Sequence, residues 1–71
     1  MTIQRINEDG RRFDIPPGLR VTVPAGNSIH NTGTRVAEFR VMRQGLDADR
    51  IMLAPDDMHT FDSPATVVVP A

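Results

Sequence analysis

The sequence predicts a small all-β domain, an antiparallel β-sandwich or compressed barrel of about seven to eight short strands. We expect a jelly-roll-like arrangement with no substantial helix. Turn signals rich in Gly, Pro, Asn and Asp recur along the whole chain and leave only short segments between them. Those segments alternate apolar and polar residues, which is the period of a half-buried strand. With 71 residues, the chain has room for one domain, residues 1–71.

The turns divide the chain into its strands in order. Each turn carries a glycine that can adopt positive φ, a proline that fixes φ, or an Asn or Asp that bonds its own backbone. The first and fourth strands are placed by the turns that flank them. The predicted strands lie at about residues 2–6, 11–15, 19–23, 27–31, 35–43, 49–53, 58–61 and 65–69.

Alternation supports the second, third and fifth strands. Apolar and polar residues alternate in Arg12-Phe13-Asp14-Ile15 and strictly from Leu19 to Val23. The alternation is less regular from Ala37 to Val41. Each of these strands is therefore expected to have one dry face and one wet face.

The sixth and eighth strands have apolar residues on both faces. Met52 lies opposite its two apolar neighbours in the sixth strand, and Val68 lies opposite Ala65, Val67 and Val69 in the eighth. A two-turn helix over residues 46–53 is the alternative for the sixth strand. It is disfavoured because the flanking Gly and Pro confine it to a length at which helices are marginal.

These alternations also predict the core. A chain of this size buries barely enough apolar surface to offset its conformational entropy, and it has no cysteine for disulfides or thiolate zinc sites. Oligomerisation or docking on a larger partner is therefore expected to add stability. The predicted core consists of Phe13, Ile15, Leu19, Val21, Val23, Ile29, Phe39, Val41, Ile51, Leu53, Phe61, Val67 and Val69.

Charge argues against two classes of partner. The formal net charge is −1 and the pI is about 6.0, whereas general nucleic-acid binders and anionic-membrane binders depend on a basic excess. Neither nucleic acid nor membrane is therefore expected as a partner. The chain has no long apolar run and no signal-peptide core at its amino terminus, so we expect a soluble, intracellular protein.

The histidines and serines do not form a recognisable catalytic or metal site. His30 and His59 are far apart in sequence and lack the His-x-His pair of a cupin metal centre. A set of both histidines with Glu38 or Asp57 is the alternative metal site. Neither serine lies on a Gly-x-Ser-x-Gly elbow. We therefore expect no enzymatic activity and no metal.

The acidic residues and glycines give no cofactor site either. The aspartates of residues 47–57 resemble an incomplete calcium loop that lacks its terminal Glu, so solvated turn residues are the preferred interpretation. A weak Ca²⁺ or Mg²⁺ contact there stays open. The glycines are isolated, so no phosphate-binding loop is predicted and no cofactor is expected. The aspartates concerned are Asp47, Asp49, Asp56 and Asp57.

The cations point to a protein interface. All eight basic residues are arginine, whose planar fork suits bidentate pairing at interfaces. The apolar strand at 65–69 would be a hazard if left uncovered, so an interface is expected there or on the neighbouring face. The predicted interface residues are Arg20, Arg35, Arg40, Arg43, Met42, Met52 and Val68.

One stretch resembles a known class of proteins. Val21-Thr22-Val23-Pro24-Ala25-Gly26, followed by a short strand and Asn31-Thr32-Gly33-Thr34, is similar in style to small all-β capsid decoration (cement) proteins of tailed bacteriophages. The similarity covers about residues 19–43. It implies a subunit, often in a homotrimer, that binds the major capsid protein lattice on the virion exterior after assembly in the host cytoplasm.

The sequence therefore predicts a non-enzymatic structural protein that stabilises a phage capsid. The resemblance transfers no functional residue, because that class of proteins has no single shared motif. Two alternatives remain open. One is a small cupin-like or lectin-like module that binds a ligand or metal with His30, His59 and Glu38 near a barrel mouth. The other is a structural subunit of a tail or baseplate.

Overall fold

A computed structural model describes the backbone of residues 3–43 and 46–70, and the side chains of all of these except residues 43 and 46–48. This part of the chain folds into short antiparallel strands and contains no helix. The strands are β1 Ile3–Ile6, β2 Arg12–Asp14, β3 Arg20–Val23, β4 Ser28–Asn31, β5 Ala37–Arg43, β6 Leu46–Leu53, β7 Met58–Thr60 and β8 Ala65–Val68.

The strands form two four-stranded sheets. Sheet I has the order β2-β1-β4-β7 and sheet II the order β3-β8-β5-β6. The chain passes repeatedly from one sheet to the other, and only the hairpins β1–β2 and β5–β6 stay within a sheet. This is a small sandwich of the jelly-roll type. The predicted all-β class is confirmed.

The sixth strand is longer than its sequence pattern indicates. The helix considered over residues 46–53 is wrong, because these residues form β6 and pair with β5 along its length. A register shift between Val41 and Met42 marks a bulge in this pairing. Bulges insert an extra residue and interrupt the alternation. The alternation alone therefore places the start of the strand too late.

The core lies between the two sheets. Phe39, at the centre of sheet II, is fully buried and packs edge-on against Phe61 and His59 from sheet I, with ring centroids 6.3 and 5.9 Å apart. Val21, Ile51 and Val69 are half-buried against this core. The buried apolar side chains are Ile3, Ile15, Val23, Ile29, Phe39, Val41, Met42, Leu53, Phe61 and Val67.

Two residues predicted in the core are wrong. Phe13 is 43% exposed and Leu19 is 52% exposed. Phe13 lies on β2, and Leu19 lies just before β3. Both strands are outermost in their sheets, so these side chains lie at the margin of the core. Ile3 was absent from the predicted core, yet it is buried beside the central strands. Alternation shows the face of a strand but not its place in the sheet.

A buried asparagine holds two loops together. The Asn31 side chain is fully buried, and its Nδ2 donates to the carbonyl oxygens of Arg35 (2.8 Å), Leu53 (3.0 Å) and Ala54 (3.3 Å). Its Oδ1 accepts a hydrogen bond from the Gly33 N–H (2.9 Å). One side chain therefore holds the β4–β5 loop in place and links it by hydrogen bonds to the β6–β7 turn.

Candidate functional site

The outer face of sheet II carries a row of arginines. Arg20 lies directly opposite Val68, Val68 opposite Arg40, and Arg40 opposite Arg50. Directly opposed residues share a face of a sheet, and the buried Phe39 next to Arg40 points the other way. We call this surface the arginine face. It consists of Arg20, Thr22, Glu38, Arg40, Arg50, Met52, Thr66 and Val68.

A single carboxylate orders two of these arginines. Arg50 donates from Nε (3.1 Å) and Nη2 to Glu38 Oε1, and Arg40 donates from Nε to Glu38 Oε2 (3.2 Å). The hydrogen bonds from Arg50 hold the pKa of Glu38 below its ordinary value, with Arg40 adding to the effect. Glu38 raises the pKa of Arg50 in return. The face therefore keeps its charge at neutral pH.

The described side chains of this face carry more positive than negative charge. They include three guanidinium groups and one carboxylate, and Glu38 pairs with Arg40 and Arg50 but not with Arg20. Met52 is 56% exposed at the β6 edge of the same face, and Val68 is half-buried at its centre. Arginine with exposed apolar side chains is the composition of protein interfaces rather than of ordinary solvated surface.

The structure separates the seven predicted interface residues into groups. Arg20, Arg40, Met52 and Val68 share the arginine face. Arg35 is exposed in the loop between β4 and β5, away from the strands of that face. Met42 lies opposite Thr66 in the pairing of β5 with β8, but it is only 9% exposed. The side chain of Arg43 lies outside the described residues.

The alternative metal residues lie in different layers. His30 is on the outer face of sheet I, His59 is on the inner face, and Glu38 is on the outer face of sheet II. Asp57 lies in the turn between β6 and β7. Among the described residues no three His, Cys, Asp or Glu side chains form a group that could hold a metal ion. The structure therefore does not bring the predicted set together.

The described aspartates that the sequence offers for Ca²⁺ or Mg²⁺ also belong to no group of three candidate metal ligands. Asp49 lies on β6, and Asp56 lies in the turn that follows this strand. Asp56 has a positive φ of 68° and uses its carboxylate as a hydrogen-bond acceptor for His30. Asp47 has no described side chain. Asp56 therefore has a structural role in a turn that demands left-handed backbone.

A polar network crosses the outer face of sheet I, and the sequence gives no sign of it. Arg12 donates from Nη1 to Gln4 Oε1 (3.3 Å) and to His30 Nδ1 (2.9 Å). Because a guanidinium only donates, His30 Nδ1 is the acceptor, and its Nε2–H donates to Asp56 Oδ1 (2.9 Å). These two contacts orient the His30 ring between Arg12 and Asp56. Only the pairing of distant strands reveals this network.

An open cleft of about 740 Å³ is lined by residues of both sheets. His59 lines it, with its ring 4.8 Å from Phe61 in an edge-on contact. Neither ring nitrogen of His59 has a hydrogen-bond partner among the described side chains and backbone. Asp49 and Asp62 also line the cleft, together with several hydroxyl groups. A polar imidazole in a concave site is a feature of small-molecule pockets.

Comparison of this chain with protein-family models, with curated proteins and with solved structures finds no match. Across residues 3–43 and 46–70, no helix has the length and apolar character needed to cross a membrane.

Proposed function

We propose that this chain is a non-enzymatic structural protein that docks through its arginine face on an acidic surface of a larger protein assembly. The observation that carries the proposal is the row of Arg20, Arg40 and Arg50 across a continuous sheet face, with the apolar side chains of Met52 and Val68 among them. Arginine forks can form two parallel hydrogen bonds to a carboxylate. The complementary partner is therefore a surface rich in Asp and Glu.

The architecture also suits a docking subunit. A 71-residue domain without disulfides has a small core, so binding a large partner contributes a substantial share of its stability. The partner we propose is the major capsid protein lattice of a tailed bacteriophage, bound on the capsid exterior. The resemblance of residues 19–43 to capsid decoration proteins supports this choice. A tail or baseplate surface would use the same chemistry and is separated from the capsid by experiment.

The arginine face fits protein better than nucleic acid. The face combines its arginines with the exposed apolar side chain of Met52, a combination found at protein interfaces, whereas phosphate-backbone binding depends on a basic excess and the chain has a net charge of −1. Single-stranded nucleic acid also needs exposed aromatic side chains for stacking. Of the three phenylalanines, Phe39 and Phe61 are buried and Phe13 belongs to sheet I. The described part of the arginine face therefore offers no stacking platform.

Co-sedimentation with capsids tests the proposal. The purified chain is mixed with expanded capsids, unexpanded capsids and isolated tails at two salt concentrations. We expect saturable binding to expanded capsids, weakened at high salt because the contacts are electrostatic. The triple variant R20Q/R40Q/R50Q should bind at least about tenfold more weakly, equivalent to about 1.4 kcal/mol. The double variant R11Q/R35Q removes exposed arginines elsewhere and serves as the matched control.

Two results would refute this function. One is failure of the wild-type chain to bind any of the assemblies. The other is equal binding by the wild-type chain and the triple variant. Preferential binding to tails would keep the docking chemistry and replace the capsid by a tail surface.

The cleft favours a second candidate function, the binding of a small molecule. Among the described residues the His59 imidazole has no hydrogen-bond partner, and the carboxylate-bearing Asp49 and Asp62 line the same cleft. Titration of the chain with a panel of sugars and small amines tests this function, followed through the backbone amide NMR signals of the residues that line the cleft. A saturable shift that His59→Phe abolishes would support it, and no shift across the panel would reject it.

A further inference from the structure

One edge of sheet I is open in the described part of the chain. β2 lies outermost in that sheet, and among residues 3–43 and 46–70 its strand partner is β1. Across this pair, the Asn7 N–H donates to the Arg11 carbonyl (2.9 Å), and the Ile15 N–H donates to the Ile3 carbonyl (3.0 Å). Hydrogen-bonded residues alternate along an antiparallel strand. Residue 13 therefore also faces β1, while the backbone N–H and C=O groups of Arg12 and Asp14 point to the open edge.

The side chains of this edge are complementary to themselves. β2 reads Arg12-Phe13-Asp14, a cation and an anion on either side of an aromatic residue. In an antiparallel pair of two such strands centred on Phe13, Arg12 of each copy lies opposite Asp14 of the other. Opposite charges that face each other across strands stabilise the pairing. Phe13 of one copy then lies opposite Phe13 of the other.

The backbone agrees with this register. Arg12 and Asp14 are the residues whose N–H and C=O groups face outward, and they are also the residues that face each other in the pair. Each facing pair exchanges two backbone hydrogen bonds, so the two pairs form four. A register shifted by one residue would place inward-facing backbone groups at the junction and would lose both the hydrogen bonds and the charge pairing.

Contacts within one copy leave this edge accessible. Asp14 accepts from Gln4 Nε2 through Oδ1, and Arg12 uses Nη1 for Gln4 and His30. The described contacts leave Asp14 Oδ2 and the remaining nitrogens of Arg12 available. Phe13 is exposed on one side, and on the other the Arg5 guanidinium lies 4.8 Å from its ring centroid. A large apolar ring is thus already held in place at an uncovered edge.

We propose that two copies of this chain pair through β2 into a twofold dimer with one continuous eight-stranded sheet. The second copy is the partner that fits, because the edge is complementary in charge, in backbone register and in its aromatic residue. This self-pairing differs from the trimer that the resemblance implies, and it does not depend on the arginine face. Pairing also covers an edge strand that would otherwise remain a site of unspecific association.

Charge reversal gives a decisive test. R12D places two carboxylates opposite each other in both halves of the pair, and D14R places two guanidinium groups there. Each variant alone is expected to be monomeric at concentrations at which the wild-type chain is a dimer. An equimolar mixture of the two variants restores an Arg–Asp pair on both sides, so it is expected to form a heterodimer. Native mass spectrometry resolves the species by mass.

The outcomes separate this proposal from other modes of association. A heterodimer from two monomeric variants supports it, and folding of both variants is thereby established. A wild-type chain that remains monomeric at millimolar concentration overturns it. A wild-type chain that forms a trimer also overturns it if R12D and D14R form the same trimer. A mixture that stays monomeric while both variants show wild-type circular dichroism also overturns it. R20Q/R40Q/R50Q should dimerise normally, which separates this edge from the arginine face.

Amide hydrogen exchange provides a second, residue-specific measurement on the wild-type chain. The amides of Arg12 and Asp14 are expected to exchange rapidly in dilute solution and to become protected as the concentration rises. The Phe13 amide, which faces β1, should be protected throughout. Rapid exchange at Arg12 and Asp14 at every concentration would overturn the proposal.

Discussion

Replacing the buried Asn31 by aspartate should cost the protein a large part of its stability. Asn31→Asp keeps the shape of the side chain but replaces an NH₂ group that faces three carbonyl oxygens, those of Arg35, Leu53 and Ala54, by a carboxylate oxygen. Both donors are lost, and the carbonyls lose this partner at a position where the Asn31 side chain itself is fully buried. The bond from Gly33 to Oδ1 survives the substitution.

The magnitude follows from the lost donors. An unsatisfied buried polar group costs about 1–3 kcal/mol, so two lost donors cost about 2–6 kcal/mol. The total stability of a 71-residue domain is roughly 4–11 kcal/mol. At matching ends of these ranges the substitution removes about half of the stability. Burial raises the pKa of a new carboxyl group here, so the loss is full at neutral pH and lessens as the pH falls and the group regains a donor.

Urea unfolding followed by far-ultraviolet circular dichroism measures the effect at several pH values. Asn27→Asp is the matched control, because Asn27 Nδ2 donates a single bond to Asn7 Oδ1 (2.8 Å) and should cost only about 1 kcal/mol. If Asn31→Asp lies within about 1 kcal/mol of the wild-type chain at neutral pH, then these carbonyls do not depend on Asn31.

Three further predictions concern packing, pH and a turn. Phe39→Ala should destabilise the chain by about 3–5 kcal/mol, because the ring is fully buried. Phe13→Ala should cost well under half as much, because that ring is partly exposed. Thermal unfolding at low protein concentration compares the two variants. The folded-state pKa of Glu38 is lowered, so its contribution to the free energy of unfolding is present above its unfolded pKa and is lost as the pH falls through its folded pKa. Glu38→Gln should therefore reduce the loss of stability at acid pH, as measured by urea unfolding at several pH values. Asp56→Gly should alter the stability measured by chemical denaturation by less than about 1 kcal/mol, because glycine relieves the positive φ and this offsets the lost acceptor for His30. A larger loss of stability would show that the hydrogen bond to His30 dominates.

The strands were predictable because their boundaries are local. Gly18 and Gly26 each follow a proline-containing turn position and have positive φ, as the turn chemistry requires. Such signals act within four residues of the chain, so a single sequence reveals them. The start of β6 was the exception, since a bulge against β5 interrupts its alternation.

The candidate site was predictable only in part, because it depends on pairing between strands that are distant in the sequence. Alternation placed Arg20, Arg40 and Val68 on polar or outward sides of their strands, and the sheet order then aligned them in one row. The network from Arg12 through His30 depends on which strands become neighbours. Nothing local encodes that choice, because registers between strands distant in sequence arise from packing of the whole core.

The order in which sheet II is assembled has a consequence for synthesis. β8 is the eighth strand in the chain, yet it lies between β3 and β5. Until it emerges from the ribosome, β3 has no partner and the β5–β6 hairpin stands alone in its sheet. Folding therefore completes only after translation has passed residue 68. The same geometry makes the protein divisible, since a separate peptide covering β8 should insert into the gap and restore the fold, as in split-protein reporters.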